Sequence, residues 1–347
     1  MQKLKRRFKG NGFMMLGVIA TIMILVLTSA VWATEAKVYK ARLSYHWFPE
    51  HHSAKMASLF AAECKEATRG RLEIEVFPSG QLFGIRQIVP SLSSGSVEIG
   101  GVLDILFIPV TSNFQVAAMP RFFKGFEQNR EFWERTPAGK KVWEGVQKKL
   151  GIKILAYIPV GPGCYFSAKR PLDSVAAFKG LKARYLMVTE KPSYEAFGTS
   201  YVSVSTSEVY TALKQGMIDT LLTVPSAVKA YNWWDYLKYA QQPYQSYHDA
   251  YIAVNAKWWD HLPQDIQDIV LTRVAPKISK KGTDEVMAYS DAILKELVEK
   301  HGGTVSTLSE AEMKKLAELD RTKIYPMIAK TIDPDFYQAA KKFAGLE

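Results

Sequence analysis

Apolar residues recur with the period of a β-strand in some segments and with that of an α-helix in others. The two kinds of segment alternate along the chain. Leu72, Ile74 and Val76 alternate with charged residues, which predicts a β-strand. Other strands are predicted at residues 38–45, 97–103, 153–160, 181–185, 201–204, 217–222 and 305–308. Helices are predicted at residues 53–69, 86–93, 122–150, 192–197 and 207–215, and one long helix at 264–301. This succession predicts an α/β fold.

The strand and helix pattern is punctuated once by the tripeptide Gly161-Pro162-Gly163, which predicts a crossover or hinge. A length of 347 residues is also enough for about two domains. We therefore expect two lobes. Lobe I comprises residues 36–160 plus 249–290, and lobe II comprises residues 161–248 plus 291–347.

The first 33 residues have the pattern of an export signal. A basic stretch, residues 1–9, precedes an almost wholly apolar run at 13–33 that ends in Ala30-Val31-Trp32-Ala33, with small residues suited to cleavage after Ala33. The apolar run is also long enough to span a bilayer if it stays uncut. Both alternatives place residues 34–347 outside the cytoplasm, and we expect a periplasmic protein.

Charge and cysteine content exclude two classes of protein. The formal net charge is +11, but five of the basic residues lie in the first nine, so the exported part is only mildly basic and no nucleic-acid surface is expected. Two cysteines are too few for a disulfide scaffold or a Cys-rich zinc array. Cys64 and Cys164 could pair in an oxidising compartment, but Cys64 falls in a helical apolar stripe, which favours a place in the core.

Catalytic and metal-binding patterns are weak. His46, Glu50, His51 and His52 are the one histidine-rich cluster, and a structural zinc site needs about four convergent ligands, so we interpret the cluster as a polar loop between a strand and a helix. The sequence has no Gly-x-Ser-x-Gly elbow, phosphate-binding loop or His-Glu-x-x-His motif. No catalytic residue, metal or cofactor is predicted.

Several longer motifs occur in order along the mature chain. They are Phe77-Pro78-Ser79-Gly80-Gln81-Leu82, Gly180-Leu181-Lys182-Ala183-Arg184, Ser207-Glu208-Val209-Tyr210-Thr211-Ala212-Leu213-Lys214-Gln215-Gly216 with Asp219, and Trp258-Trp259-Asp260-His261-Leu262-Pro263. With these motifs the chain resembles the solute-binding proteins of tripartite ATP-independent periplasmic (TRAP) transporters, of the C4-dicarboxylate-receptor-like kind. The resemblance implies a two-lobed periplasmic binding protein of the Venus flytrap type, with a long C-terminal helix that spans both lobes.

The resemblance also implies where the ligand binds. Arg184 stands at the position that holds the ligand carboxylate in such receptors, and a guanidinium presents a planar fork that matches a carboxylate. A surface ion pair is the alternative for an arginine at a strand end. Further residues are expected around the ligand: Thr206, Thr223, Tyr165, Cys164, His46, Trp47, Phe83 and Arg86.

The sequence departs from the family pattern after Asp219. Receptors of this kind usually continue with Gly and then Gln-Glu-Asn-Pro, whereas this chain continues Thr220-Leu221-Leu222-Thr223-Val224-Pro225. A threonine thus replaces the amide that commonly helps to grip the ligand, and no second arginine stands at the Cys164 position. We expect a monocarboxylate with a less polar remainder, although Arg86 or Arg121 could supply a second cation.

The function that the resemblance implies is transport. The receptor would bind a small organic acid between its lobes and deliver it to TRAP membrane permease subunits. A periplasmic sensory module that reports ligand occupancy to a membrane kinase is an alternative. A periplasmic enzyme is a weaker one, because it would need a general base or nucleophile next to Arg184.

Overall fold

Strands and helices alternate along residues 37–346, the part of the chain that this computed structural model describes. The predicted export signal at 1–33 lies outside these residues. The strands are β1 (Tyr39–Ser44), β2 (Leu72–Phe77), β3 (Ile99–Leu103), β4 (Ile152–Ser167), β5 (Lys182–Tyr185), β6 (Ser200–Ser203), β7 (Thr220–Thr223), β8 (Tyr239–Gln242), β9 (Ser246–Asn255) and β10 (Thr304–Thr307). The predicted strands are confirmed within a few residues, but β8 and β9 were not predicted.

The helices between the strands also follow the predicted pattern. They are α1 (His52–Ala67), α2 (Ile88–Ser94), α3 (Phe126–Arg135), α4 (Pro137–Leu150), α5 (Lys191–Ala196), α6 (Val209–Lys214), α7 (Pro225–Ala230), α8 (Ala256–Asp260), α9 (Gln264–Ile269), α10 (Ala275–His301), α11 (Glu310–Leu319), α12 (Tyr325–Ala329) and α13 (Pro334–Ala344). The segment 122–150, which the sequence predicts to be largely helical, forms the two helices α3 and α4. Thr136 separates them, and its Oγ1 accepts a hydrogen bond from the Gly139 N–H at 3.0 Å as the cap of α4.

Eight of the ten described strands form one continuous hydrogen-bonded path in the order β2-β1-β3-β9-β4-β7-β5-β6. Off this path, β8 pairs with both β4 and β10. β1, β2 and β3 are parallel, and we call them the first parallel group. β5, β6 and β7 are also parallel and form the second parallel group. The long antiparallel strands β4 and β9 lie between the two groups. This mixed sheet flanked by helices confirms the predicted α/β fold class.

Strand β4 continues through Gly161-Pro162-Gly163, where the sequence predicted a crossover or hinge after a strand that ends at residue 160. Residues 152–163 pair with β9, and residues 164–167 pair with β7, so the same strand carries the chain from one parallel group to the other. A Cβ atom on Gly163 would lie 2.4 Å from Ser246 Oγ and 2.8 Å from His248 Nε2. The glycine therefore permits β4 to pass close to β9 rather than ending the strand. The division into two lobes stays a prediction.

The long helical segment predicted at 264–301 is confirmed, and it contains one wider turn. Residues 270–274 form a π-helical turn between α9 and α10, immediately before Pro276. A proline lacks the N–H of a regular helical hydrogen bond, and the wider turn accommodates it. Helix α10 packs along β4 and also contacts α1, α7 and β10. Among residues 37–346, no helix is long and apolar enough to cross a membrane.

Both cysteines belong to the hydrophobic core. Cys64 on α1 and Cys164 on β4 are fully buried and carry free thiols, so the predicted core position of Cys64 is confirmed. Burial raises the pKa of both thiols, which keeps them protonated and unreactive. The Trp233 and Trp259 side chains are likewise buried in this core.

Candidate functional site

A cavity of about 90 Å³ lies where strands of both parallel groups end. His46 and Trp47 follow β1, and Asp104 follows β3. Arg184 lies near the end of β5, and Thr223 is the last residue of β7. Open α/β folds place their ligands beyond the carboxyl ends of parallel strands. The cavity is therefore at the position that the fold favours for a ligand.

Arg184 brings a buried positive charge to the cavity. The residue is 3% exposed, its Nε donates to the Val204 carbonyl at 2.9 Å, and its Nη2 donates to Thr206 Oγ1 at 3.3 Å. Within residues 37–346, its guanidinium makes no ion pair with a carboxylate. Burial lowers the pKa of the guanidinium and the charge of Glu190 raises it, but an arginine stays protonated at neutral pH. The arrangement leaves a buried cation free to take an anion.

Thr206 is held in place by a local cap. Ser205 precedes a single helical turn, and its backbone N–H donates to Glu208 Oε2 at 3.2 Å. The Ser205 hydroxyl donates to the same oxygen at 2.5 Å. Ser205 and Glu208 thus form a capping box, which fixes the turn that presents Thr206 to the Arg184 guanidinium.

The histidines that line the cavity, His46, His51 and His248, are neutral, and burial lowers the pKa of His248 to about 4. The Ser53 N–H donates to His51 Nδ1 at 3.1 Å, so the ring proton is on Nε2, which lies 3.2 Å from Ser226 Oγ. Burial holds the pKa of His51 well below its usual range and lowers that of His46 to about 3. Of the described residues, Arg184 is therefore the one that gives the cavity lining a positive charge.

Two acidic side chains also line the cavity. Glu190 Oε1 accepts hydrogen bonds from the backbone N–H groups of Leu186 at 3.2 Å and Met187 at 3.1 Å. Burial raises the pKa of Glu190 to about 7, although the Arg184 charge and these two donors act against the rise. Burial also raises the pKa of Asp104 to about 7. The cavity thus combines one guanidinium with two carboxyl groups that ionise reluctantly.

Asp104 lies close to a second buried carboxyl group, that of Asp249. Asp249 accepts hydrogen bonds from the Tyr157 hydroxyl at 2.6 Å and from Asn129 Nδ2 at 2.7 Å. Burial and the nearby charge of Asp104 raise the pKa of Asp249 well above its usual range. Asp104 Oδ1 itself accepts from the Ile105 N–H at 2.6 Å. These hydrogen bonds hold the two carboxyl groups in place without adding a positive charge.

The structure brings five of the predicted ligand-binding residues together. His46, Trp47, Arg184, Thr206 and Thr223 all line the cavity. They come from segments far apart in the chain, and the strand ends bring them into one place. Their assignment as ligand-binding residues stays a prediction.

Four other predicted residues lie outside this lining. Cys164 and Tyr165 pair with Thr223 and Leu222 across the sheet, but both side chains are buried in the hydrophobic core. Tyr165 packs edge-on against Phe178 with ring centroids 4.9 Å apart. Phe83 is partly buried against the core, and Arg86 lines an adjacent, larger groove.

Arg121, the other candidate for a second cation, is occupied elsewhere. Its guanidinium makes a two-pronged ion pair with Asp320, with Nε–Oδ2 and Nη2–Oδ1 distances of 2.6 and 2.5 Å. The remaining Nη1 donates to Gln245 Oε1 at 2.6 Å. Arg121 is not among the residues that line the cavity.

Sequence reasoning missed several lining residues, among them Glu190, Asp104, Tyr231 and His248. Asp104 and Glu190 follow β3 and β5, so their position after a predicted strand was a usable signal. His248 lies within β9, which was not predicted at all. Among the described residues, no group of three or more His, Cys, Asp and Glu side chains is arranged to hold a metal ion.

The partly buried Glu190 predicts a pH dependence of stability. Its pKa is about 7 in the folded protein and about 4.5 as the ordinary value, so the folded state holds the proton more tightly. The stabilising contribution is complete below the ordinary pKa and is lost as the pH rises through the folded pKa. We expect Glu190→Gln to reduce the fall in unfolding free energy between about pH 4.5 and pH 8 by about 1–3 kcal/mol.

The measurement is urea unfolding of the ligand-free protein at both ends of this pH range. Glu299→Gln is the matched control, because the Glu299 side chain is 55% exposed on α10. It should leave the pH dependence unchanged. An equal pH dependence in Glu190→Gln and wild type would contradict a raised pKa at Glu190.

Comparison with known proteins identifies the family of the chain. The family model described as "Bacterial extracellular solute-binding protein, family 7" matches residues 43–330. The C4-dicarboxylate-binding periplasmic protein DctP of Rhodobacter capsulatus is 26% identical over 302 residues, which are 84% of this chain and 87% of that protein.

Two solved structures share the fold. A TRAP periplasmic solute-binding protein from Haemophilus influenzae with bound L-gulonate has a TM-score of 0.78 and 25% identity, and covers 89% of this chain and 99% of its own. DctP7, a Bordetella pertussis extracytoplasmic solute receptor that binds pyroglutamic acid, has a TM-score of 0.80 and 23% identity, with coverage of 89% and 100%. The chain belongs to the bacterial extracellular solute-binding protein family 7 and is a substrate-binding protein of the TRAP type.

Proposed function

We propose that this protein is an extracytoplasmic receptor that binds an organic acid with its carboxylate on Arg184 and delivers the acid to TRAP membrane permease subunits. The observation that carries the proposal is the Arg184 guanidinium, which is buried at the cavity without an ion pair to any described residue. A buried charge is costly unless it is paired, and a ligand carboxylate would supply the partner. Thr206 Oγ1, 3.3 Å from Nη2, holds one side of the guanidinium fork.

The related proteins support an acid as the ligand. The relatives described above are named for, or contain, C4-dicarboxylates, L-gulonate and pyroglutamic acid. These molecules differ in size and polarity, but each carries a carboxylate. A carboxylate held by a buried arginine is the shared element that this cavity could accept.

The surroundings of Arg184 favour a single carboxylate on the ligand. Glu190 and Asp104 line the same cavity, and a second ligand carboxylate would face these acids. Arg86 lies in the adjacent groove, and Arg121 is paired with Asp320. We therefore propose a monocarboxylate as the preferred ligand.

The proposal includes export and motion. The pattern of residues 1–33 is that of an export signal, and the R. capsulatus relative is periplasmic, so we propose a periplasmic location. We also propose that the two parallel groups belong to separate lobes that close on the ligand, with β4 and β9 as the connection. Closure would exclude water from Arg184 and strengthen its pairing with the carboxylate.

A thermal-shift panel of organic acids tests the proposal. We expect monocarboxylates to raise the melting temperature more than succinate, malate and fumarate do, because one cation lines the cavity. Larger shifts with the dicarboxylates would mean that a second cation, Arg86 first, reaches the ligand. No shift with any acid would remove organic-acid binding as the function.

A further inference from the structure

One carboxyl oxygen of Glu190 is held by backbone hydrogen bonds, and the other has no hydrogen-bond partner among the described residues. Oε1 accepts the N–H groups of Leu186 and Met187, which fixes the orientation of the side chain after β5. Oε2 is buried and has no hydrogen-bond partner among the described residues. Because buried polar atoms nearly always have a partner, an oxygen of this kind at a cavity wall needs an explanation.

Glu190 Oε2 is accompanied by two other polar atoms of the same kind. Thr189 Oγ1 and His46 Nδ1 are also buried without a hydrogen-bond partner in the described structure, and both residues line the same cavity. Leaving a buried donor or acceptor unpaired is destabilising by itself. Three such atoms around one cavity indicate that a polar molecule completes their hydrogen bonds.

The structural role of Glu190 requires Oε1 alone. A glutamine would accept the same two backbone N–H groups with its amide oxygen. The second oxygen distinguishes the two residues, because the carboxylate offers an acceptor where the amide offers a donor. When Glu190 is ionised, a hydrogen-bond donor on the ligand supplies the partner that Oε2 lacks.

Arg184 and Glu190 lie close enough for the charge of each to shift the pKa of the other, which brings that donor near the ligand's acid group. Arg184 and Glu190 line one space of about 90 Å³, so a small molecule meets both. Resting on the proposed function, in which Arg184 binds the carboxylate, we propose that Glu190 Oε2 accepts a hydrogen bond from an amino or hydroxyl group next to that carboxylate. Glu190 is then a specificity-determining residue, and the ligand class is the 2-amino and 2-hydroxy monocarboxylic acids.

Four acids on one carbon skeleton test this proposal. L-Valine, 2-hydroxyisovalerate, 2-oxoisovalerate and isovalerate place an ammonium, a hydroxyl, a carbonyl or hydrogens on the same carbon. Affinities are measured by calorimetry at about pH 8.5, where Glu190 is ionised because this pH is above its raised pKa of about 7. We expect the amino or the hydroxy acid to bind wild type about tenfold or more tightly than the oxo acid and isovalerate.

The variant Glu190→Gln should reverse this preference. Its amide presents an N–H where the carboxylate presents an oxygen, so the oxo acid should gain affinity and the donor-bearing acids should lose about tenfold. Glu299→Gln, on the exposed face of α10, is the control and should keep the wild-type order. Circular dichroism of each variant verifies that it is folded.

The outcomes separate this inference from the proposed function. If the four acids bind wild type equally, or if neither donor-bearing acid binds, Glu190 does not select the ligand as proposed. If Glu190→Gln weakens all four acids by the same factor, its role is structural and the inference is also overturned. In each case the proposed function still stands if other carboxylates bind and depend on Arg184, and it fails if no carboxylate does.

Discussion

Arg184→Ala is expected to weaken binding of the strongest monocarboxylate in the panel by about 2–5 kcal/mol, which is a loss of roughly 30-fold to several thousandfold. The guanidinium is buried and makes no ion pair with the described residues, so the ligand carboxylate would be its counter-charge. Removing it would leave that carboxylate unpaired in a cavity with two acidic side chains. Isothermal titration calorimetry measures the change directly.

Two further variants make this result specific. Arg184→Lys should restore only part of the affinity, because an ammonium cannot reproduce both prongs of the guanidinium fork. Arg135→Ala is the matched control, since the Arg135 side chain is 76% exposed and pairs with Glu131 on the surface of α3. Near wild-type affinity in Arg184→Ala would remove this residue from the site, whatever the ligand.

Most of the fold could be predicted from the sequence because most elements have one buried face. Strand β2 alternates apolar and charged residues, and α1 carries an apolar stripe, so their periods are visible. Strand β9 lacks such a period because residues on both of its faces are mostly buried. His248 and Asp249 interrupt its apolar pattern, yet His248 is partly buried and Asp249 is fully buried, with hydrogen bonds from Tyr157 and Asn129.

The candidate site could be predicted only in part. Residues that lie in sequence motifs could be found, but the direction in which a buried side chain points could not. Arg184, Thr206 and Thr223 lie in or beside motifs, so the family resemblance could point to them. Tyr165 lies beside the same strand end, but its ring packs against Phe178 in the core. Which face of a doubly buried strand meets the cavity depends on tertiary packing, and the sequence pattern does not carry that information.

Glu190 lines the cavity although the sequence analysis did not predict it as a site residue. A glutamate in the segment that follows a strand is ordinarily interpreted as an exposed residue. Its partial burial follows from the turn at Leu186 and Met187, whose N–H groups bind Oε1 and orient the side chain. Only the folded chain shows that the second oxygen is left without a partner at the cavity.

Asp320→Ala is expected to lower the free energy of unfolding by about 3–5 kcal/mol, the largest effect on stability that we expect. Arg121 and Asp320 are nearly inaccessible, with side-chain exposures of 11% and 4%. The pair joins the segment before α3 to the π-helical turn at residues 320–324, and Gln245 holds the third nitrogen of the guanidinium. Removing the carboxylate would leave a buried guanidinium with one neutral partner.

The neighbouring exposed ion pair provides the control for this measurement. Glu318 and Arg321 pair at 2.8 Å with side chains that are 58% and 73% exposed. Glu318→Ala removes the same kind of attraction without uncovering a buried charge, and surface pairs contribute at most about 1 kcal/mol. Urea unfolding of both variants should therefore separate them by at least about 2 kcal/mol. Equal losses would mean that water reaches Arg121 when Asp320 is removed, and that burial of the pair does not determine its contribution.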